Sequence, residues 1–244
     1  MKSVIIGASA GLGRALSEEL AAKGHDLFLV ATDKRDLEAL SADLEIRYGR
    51  TIGKLAADIR EVSATTIRES CLLQLGKPDC LFLVSGRSEM ERDFADLSEN
   101  EAAQLIQINF EAPVRIVLAF LPDLSESKHG ACVGIGSAAQ ARPRAVNTVY
   151  AASKQGLESF FEGLRQKLTW TSCRVQYYRI GYMATQMTFG RKSFVPYVEP
   201  SYIAKKIVAR LDRDQIGVYL PWWWSPMMGV YKHMPWFIFR KLKG

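Results

Sequence analysis

Near its N-terminus the chain reads Val4-Ile5-Ile6-Gly7-Ala8-Ser9-Ala10-Gly11-Leu12-Gly13, an apolar strand run followed by a glycine-rich turn and the start of a helical pattern. Glycines in such a turn let the backbone bend tightly and approach a pyrophosphate, whose negative charge is favoured at a helix N-terminus. The spacing is GxxxGxG and not GxGxxG, so the motif by itself is a weak signal that a plain tight turn also explains. Its position directly after a strand favours the phosphate-binding interpretation.

Apolar strand-like runs alternate with segments of helical period along most of the remaining chain, which predicts βαβ units and a parallel sheet. We expect an α/β Rossmann fold, doubly wound, with seven parallel strands and helices on both faces. The predicted strands are Val4–Ile6, Leu27–Val30, Ile52–Ala57, Cys80–Val84, Ala131–Ile135, Arg174–Ile180 and Ile216–Leu220. The predicted helices are Leu12–Lys23, Asp33–Tyr48, a long helix from a capping box of Ser98 and Glu101 through Phe120, Thr148–Trp170 and Tyr202–Leu211.

Composition is that of an ordinary globular protein, with 48% hydrophobic and 24% charged residues. The four cysteines occur singly, at Cys71, Cys80, Cys132 and Cys173. Neither a disulfide framework nor a metal site is therefore expected. The apolar run at the N-terminus is too short for the core of a signal peptide, so we expect a cytoplasmic protein.

The C-terminal end differs from the rest in charge and aromatic content. The net charge of +6 arises in residues 201–244, where lysine and arginine outnumber Asp212 and Asp214. The same stretch contains Trp222, Trp223, Trp224 and Trp236. We predict one domain over residues 1–220 and an aromatic, basic appendage over residues 221–244.

The appendage has the composition of a segment that lies in a membrane interface. Its uncharged run, 215–231, is interrupted by prolines and glycines and is shorter than the ~20 apolar residues that a spanning helix needs. Aromatic rings would lie at headgroup level, with the lysines toward anionic lipid. Packing against a second subunit is the alternative, and we expect a homo-oligomer. The rest of the chain has no basic stripe, so we expect no nucleic-acid partner.

Tyr150 and Lys154 lie on one face of the predicted helix, because residues four apart are neighbours on a helix surface. An ammonium beside a phenol favours the phenolate and lowers the phenol pKa from about 10. The phenol then becomes a usable proton donor or acceptor at neutral pH. The YxxxK pattern alone is common, but Ser137 follows the fifth strand, at the carboxyl edge where parallel sheets bind ligands.

In order and spacing, the glycine turn, Asn109, Ser137, Tyr150 and Lys154 resemble the short-chain dehydrogenase/reductase family over residues 1 to about 220. The resemblance implies an NAD(P)(H)-dependent oxidoreductase in which Tyr150 is the acid/base and Lys154 holds the nicotinamide ribose. It also implies that Ser137 binds the substrate oxygen and that Asn109 organises a proton-relay water. The implied cofactor contacts are Gly7, Ser9, Gly11, Leu12, Gly13, Thr32, Asp58, Ile59, Ser85, Gly86, Tyr150, Lys154, Gly181 and Thr185. Among them, Asp58 and Ile59 match the pair that contacts the adenine in the family.

Three positions depart from the family pattern. Ile6 replaces the usual threonine before the first glycine, and Leu83-Val84-Ser85-Gly86 replaces Asn-Asn-Ala-Gly. Ile180-Gly181 replaces Pro-Gly after the sixth strand, while Thr185 stays in register for the carboxamide.

The form of the cofactor stays open. An acidic residue after the second strand would bind a ribose hydroxyl, whereas an arginine would accommodate a 2′-phosphate. Here Thr32 is followed by Asp33, Lys34 and Arg35, so the signals conflict. The same residues also suit a solvated first turn of a helix.

A narrower resemblance involves the tail from Met234 to Leu242, the run from Ser137 to Asn147, and Val84-Ser85-Gly86. These segments are similar to reductases of polyprenyl-phosphate-linked sugars, such as the keto-reductase subunits of decaprenylphosphoryl-ribose 2′-epimerases. The implied substrate is a lipid-linked keto-sugar of cell-envelope biosynthesis, at the inner face of the membrane. Arg142 and Arg144 are hypothesised to meet its phosphate, because arginine suits phosphate geometry; a solvated basic loop is the alternative.

Two further functions stay open. The chain could reduce another lipid ketone, such as a ketosphinganine, an acyl ketone or a steroid. It could instead be a nucleotide-binding regulatory protein without turnover, although Ser137, Tyr150 and Lys154 favour an enzyme.

Overall fold

The computed structural model describes residues 1–88, 96–185, 188 and 195–242. Its seven parallel strands form one sheet in the order β3-β2-β1-β4-β5-β6-β7. The strands are β1 Lys2–Ile6, β2 Asp26–Ala31, β3 Ile52–Ala56, β4 Cys80–Leu83, β5 Ala131–Ser137, β6 Arg174–Ile180 and β7 Gln215–Leu220. The strand order reverses between β1 and β4, which opens a ligand crevice at the carboxyl ends of these strands. The predicted doubly wound fold is confirmed.

Nine α-helices lie in the described part of the chain. They are α1 Gly11–Ala22, α2 Lys34–Tyr48, α3 Ala64–Gln74, α4 Glu99–Ile106, α5 Ala112–Glu126, α6 Thr148–Lys167, α7 Pro200–Val208, α8 Trp224–His233 and α9 Trp236–Phe239. A π-helical turn, Gln107–Glu111, joins α4 to α5. Two 3₁₀ turns, Ala138–Ala141 and Ala145–Asn147, connect β5 to α6.

The two faces of the sheet carry separate hydrophobic cores, because successive side chains of a strand point in opposite directions. Ile5 packs in the core beneath α1, α2 and α7. Val4 and Ile6 pack in the opposite core, beneath α3, α5 and α6. Strands buried on both faces read as the continuous apolar runs seen in the sequence.

Two helix ends have the capping residues that the sequence predicted. The capping box of Ser98 and Glu101 is present at the start of α4. Gly49 ends α2 in the left-handed conformation, at φ 60°. Helix α3 was not predicted. Its amphipathic signal is weak, since Ile67 and Cys71 are its only buried residues.

The helix from Glu99 to Glu126 is long and apolar enough to cross a membrane by length and composition alone. Core helices of globular proteins pass the same test. Ile116, Val117 and Phe120 of this helix are fully buried in the core beneath α3 and α6. It therefore packs here as a core helix of the fold.

Trp224 of α8 packs the appendage against the residues that follow β6. Trp224 is buried, and its indole meets the Tyr182 ring edge-on with 5.0 Å between centroids. The indole lies directly against Gly181, where a Cβ atom would overlap it. A domain boundary between Leu220 and Pro221 stays a prediction.

Candidate active site

The turn between β1 and α1 has the shape of a phosphate-binding loop. Gly7 has φ +90° and Gly11 has φ +51°, conformations that favour glycine. A Cβ on Gly7 would lie 2.7 Å from the Ser85 amide nitrogen, and one on Gly11 would lie 3.4 Å from Thr185 Cγ2. The glycines thus allow two loops that are distant in sequence to close over the turn.

Two observations indicate that this turn is built for a ligand. Within the described residues, no side chain caps the first turn of α1, so its amide groups are left for another acceptor. The Ser85 hydroxyl is buried and has no hydrogen-bond partner in the same part of the chain. The site therefore fits a dinucleotide phosphate. The Leu12 side chain is buried in the core, so Leu12 can offer the ligand only its backbone.

Ser137 is the last residue of β5 and lies at the carboxyl edge of the sheet. Its amide donates to Gln140 Oε1 at 2.9 Å, and its hydroxyl oxygen accepts from the Ala139 amide at 3.2 Å. The local turn therefore fixes the backbone of Ser137. The hydroxyl hydrogen stays available for an acceptor on the substrate side.

Tyr150 and Lys154 lie one turn apart on α6, and both are buried. Lys154 Nζ donates to the Ile135 carbonyl oxygen at 3.1 Å, on the same strand that ends in Ser137. Burial lowers the pKa of Lys154 to about 8. The structure thus brings Tyr150, Lys154 and Ser137 to one edge of the sheet.

Asn109 lies within the π-helical turn and is fully buried. Its Nδ2 donates to the Arg87 carbonyl at 2.8 Å, and its Oδ1 accepts from the Arg87 amide at 3.0 Å. A Cβ on Gly86 would lie 3.1 Å from both Asn109 Oδ1 and Lys154 Nζ. Such π-turns occur often at functional sites. Here the turn places Asn109 beside Gly86 and Lys154.

Asp58 is held by its own neighbour at the edge predicted for the adenine. Arg60 donates hydrogen bonds to the carboxylate, with Nη2 2.6 Å from Oδ2 and Nε 3.0 Å from Oδ1. The hydrogen bonds from Arg60 lower the pKa of Asp58, which keeps the carboxylate ionised. Ile59 is buried in the core. The adenine contact predicted for this pair stays a prediction.

Thr32 is exposed just after β2, where the cofactor's ribose is expected. Asp33 caps α2, because its Oδ1 accepts from the Asp36 amide at 2.9 Å. Lys34 and Arg35 are exposed in the first turn of the helix. Asp33 therefore acts as a helix cap, as expected if these residues form the solvated start of a helix.

Arg142 contacts the tail. Its Nη1 donates to the carbonyl oxygens of Tyr231 at 3.2 Å and Met234 at 2.5 Å, at the end of α8. Its guanidinium carbon lies 3.7 Å from the centroid of the Phe239 ring. The guanidinium is therefore engaged by the tail through Nη1, and the phosphate role predicted for Arg142 stays a prediction. Burial raises the pKa of the Tyr231 phenol, and the nearby Arg144 offsets part of that rise. The phosphate role predicted for Arg144 stays a prediction.

The sequence reasoning missed two groups near the site. Trp224 covers Gly181, and no local pattern could have shown that contact. Gln140 accepts from Ser137, and the spacing of the two residues as a capping box could have signalled it. Among the described residues, no cluster of three or more His, Cys, Asp or Glu side chains is placed to hold a metal ion.

The model of the short chain dehydrogenase family matches residues 2–194. The very-long-chain 3-oxoacyl-CoA reductase of Laccaria bicolor is 26% identical over 212 residues, covering 86% of this chain and 62% of that protein. Inactive hydroxysteroid dehydrogenase-like protein 1 of Pongo abelii is 31% identical over 192 residues, covering 76% of this chain and 57% of that protein. The chain thus spans less than two thirds of the length of these relatives.

A solved structure gives the same fold over nearly the whole chain. The short-chain dehydrogenase from Sphingobium yanoikuyae, in complex with NADPH, has a TM-score of 0.82 and 25% identity. The match covers 99% of this chain and 96% of that one. The family model, the fold and the order of the site residues agree. The chain belongs to the short-chain dehydrogenase/reductase family.

Proposed function

We propose that the protein reduces a ketone to a secondary alcohol with NAD(P)H. The observation that carries the proposal is the hydrogen bond from Lys154 Nζ to the Ile135 carbonyl. It holds the helix face that carries Tyr150 and Lys154 against the strand that ends in Ser137. A proton donor, a cation and a hydroxyl donor thus meet at one sheet edge, as carbonyl reduction requires.

The chain's own residues divide the proton chemistry among them. Ser137 donates to the carbonyl oxygen and polarises it. Tyr150 supplies the proton to that oxygen as negative charge develops. The Lys154 ammonium stabilises the ionised phenol, and Asn109 holds the adjoining loop through Arg87. The bound dinucleotide supplies the hydride.

The glycine turn and the first turn of α1 would hold the cofactor's pyrophosphate. Asp33 is engaged as a helix cap, whereas Lys34 and Arg35 are exposed beside Thr32. This arrangement favours a 2′-phosphate, so NADPH is the proposed cofactor. The ratio of kcat/KM for NADPH and NADH tests the preference, and a ratio below one would reverse it.

A lipid-borne ketone is the proposed substrate class. The resemblance to polyprenyl-phosphate sugar reductases supports a lipid-linked keto-sugar. The name of the fungal relative, a very-long-chain 3-oxoacyl-CoA reductase, supports an acyl ketone instead. The contacts of Arg142 with the tail weaken one support for the phosphate-linked sugar.

The test is oxidation of NADPH, followed by absorbance, against a panel of ketones. The panel contains a polyprenyl-phosphate keto-sugar, a long-chain 3-oxoacyl thioester, a ketosphinganine, a keto-steroid and a small neutral ketone. We expect lipid ketones to be turned over with lower KM than the small ketone. NADPH binding without turnover of any ketone would instead favour a silent regulatory protein. The name of the relative from Pongo abelii, which includes the word inactive, is the reason to keep that alternative.

The tail is proposed to hold the enzyme at the cytoplasmic face of a membrane. We call tail face the exposed apolar side chains of this segment: Trp222, Val230, Trp236, Phe237, Ile238 and Leu242. Trp236 is 66% exposed and Phe237 62%. Lys232, Arg240 and Lys241 are exposed among them. Rings and cations together suit an anionic lipid surface better than water.

A further inference from the structure

A buried glutamine lies directly behind the serine of the proposed site. The Gln140 side chain is only 2% exposed. Its Oε1 accepts from the Ser137 amide at 2.9 Å, while its Nε2 donates to Glu158. Gln140 therefore joins the end of β5 to the middle of α6.

Glu158 determines which way the Gln140 amide points. The carboxylate is held by Arg179, with Nη2 2.8 Å from Oε1 and Nε 2.9 Å from Oε2. An ionised carboxylate only accepts hydrogen bonds, so the Gln140 NH₂ group must face it. The amide oxygen then faces Ser137, which needs an acceptor. The orientation of the amide thus follows from its partners.

A third connection reaches the backbone of Lys154. The Tyr177 hydroxyl donates to the Lys154 carbonyl at 2.8 Å and lies 3.3 Å from Gln140 Oε1. Burial raises the pKa of the Tyr177 phenol, so it stays a neutral donor. A Cβ on Gly136 would collide with both Gln140 and Tyr177. Only glycine there lets the network pass beneath β5.

We propose that Gln140 is a positioning residue for Ser137, oriented by the Glu158–Arg179 ion pair. The network links the backbones of Ser137 and Lys154, so the two groups keep one spacing. Gln140 itself faces away from the substrate side and takes no part in proton transfer. Its effect on catalysis rests on the proposed ketone reduction, but its effect on the Ser137 backbone does not.

The sharpest test exchanges the two partners. Gln140→Glu alone places two carboxylates together, and Glu158→Gln alone removes the group that orients the amide. The double variant Gln140→Glu/Glu158→Gln restores an acceptor at the Ser137 amide, a donor between the two side chains and one negative charge in the network. It loses one hydrogen bond from Arg179, because the Glu158 oxygen that accepts from Gln140 also accepts from Arg179 Nε, and an amide NH₂ group cannot accept. We expect each single variant to lose at least tenfold in kcat and the double variant to recover part of this loss, with KM for NADPH unchanged. A double variant no better than the singles would overturn the proposal.

Gln140→Leu with Gln176→Leu as its matched control separates positioning from stability. Gln176 is another fully buried glutamine, and its Nε2 donates to the Arg213 carbonyl at 2.6 Å, away from Ser137. Both variants should lower Tm, but only Gln140→Leu should lower kcat by tenfold or more. A folded Gln140→Leu protein with kcat within twofold of wild type would contradict the inference.

Hydrogen exchange gives a readout that needs no turnover. Exchange of the Ser137 amide should speed up in Gln140→Leu and stay unchanged in Gln176→Leu, measured by mass spectrometry on the peptide 131–141. If the wild-type protein reduces no ketone, yet exchange differs in this way between the two variants, the proposed function fails while the positioning inference stands. Equal exchange in the two variants would overturn the positioning inference.

Discussion

The network behind Ser137 and the tail differ in how their buried polar groups are satisfied. Beneath Ser137, the side chains of Gln140, Glu158 and Arg179 all have partners within the chain. In the tail, the indole nitrogen of Trp224 and the hydroxyl of Tyr231 are buried without partners among the described residues. The tail also exposes a row of large apolar side chains.

The difference shows which parts of the protein are complete in themselves. A buried polar group without a hydrogen bond costs about 1–3 kcal/mol, so a network with every partner present is rigid and specific. In the tail, two such groups have no partner among the described residues. We infer that the catalytic edge is preorganised by the fold, while the tail faces a substrate, a lipid surface or another subunit.

The largest expected effect is at the catalytic edge. Tyr150→Phe removes the proposed proton donor and should lower ketone reduction by about 10²–10⁴-fold, because the lost interaction is one made in the transition state. Cofactor binding, followed by NADPH fluorescence, should stay within twofold of wild type. Activity within a few-fold of wild type would show that Tyr150 is not the proton donor.

The second prediction concerns the tail face. Full-length protein should sediment with anionic vesicles and be only partly released by high salt, since salt screens the cations but not ring insertion. Trp236→Ser/Phe237→Ser should lose this binding and keep activity on a small ketone. Trp170→Ser is the matched control, because Trp170 is 96% exposed but lies outside the tail.

The subunit alternative gives the opposite pattern in that experiment. Wild-type protein would ignore the vesicles, and the double tail variant would run at a smaller size on a sizing column. That outcome would reject the membrane proposal and assign the tail face to an interface between subunits.

The third prediction uses the buried lysine. Burial lowers the pKa of Lys154 to about 8, so its charge is present below that pH and lost above it. The unfolded chain keeps the proton up to about pH 10.4, so Lys154 should contribute rising stability between these two values. In the proposed mechanism ketone reduction uses the charged form of Lys154, so the rate should fall above about pH 8.

Lys154→Arg separates this titration from others, because arginine stays charged throughout. The residual activity of Lys154→Arg should lack the fall seen in the wild-type pH–rate profile. A wild-type rate that stays flat to about pH 10 would show that the Lys154 charge is not needed.

The smallest expected effect is at the junction of the two regions. Arg142→Ala removes the contacts of its guanidinium with two tail carbonyls and the Phe239 ring, and should cost about 1–2 kcal/mol in unfolding free energy. If Arg142 acts only as an anchor for the tail, KM should change equally for a lipid-phosphate ketone and a small ketone. A rise in KM for the phosphate substrate alone would support the phosphate role. Arg144→Ala serves as the comparison.

Local patterns in the sequence were enough for the sheet and for much of the site. Apolar runs alternating with helical periods predicted all seven strands, because strand and helix periods are properties of neighbouring residues. The glycine turn and the spacing of Tyr150 and Lys154 are local in the same sense. Helix α3 was not predicted, because too few of its residues are buried to produce a periodic signal.

Only the tertiary structure decided the partners that meet across the fold. Gln140, Glu158 and Arg179 come from a 3₁₀ turn, a helix and a strand, and their pairing exists only once α6 packs on the sheet. Arg142 was predicted to bind phosphate, and only the tertiary structure shows that its guanidinium contacts backbone carbonyls at the end of α8. The physical reason is the same in both cases. Residue type sets what a side chain can bond, but long-range packing sets which partner it reaches.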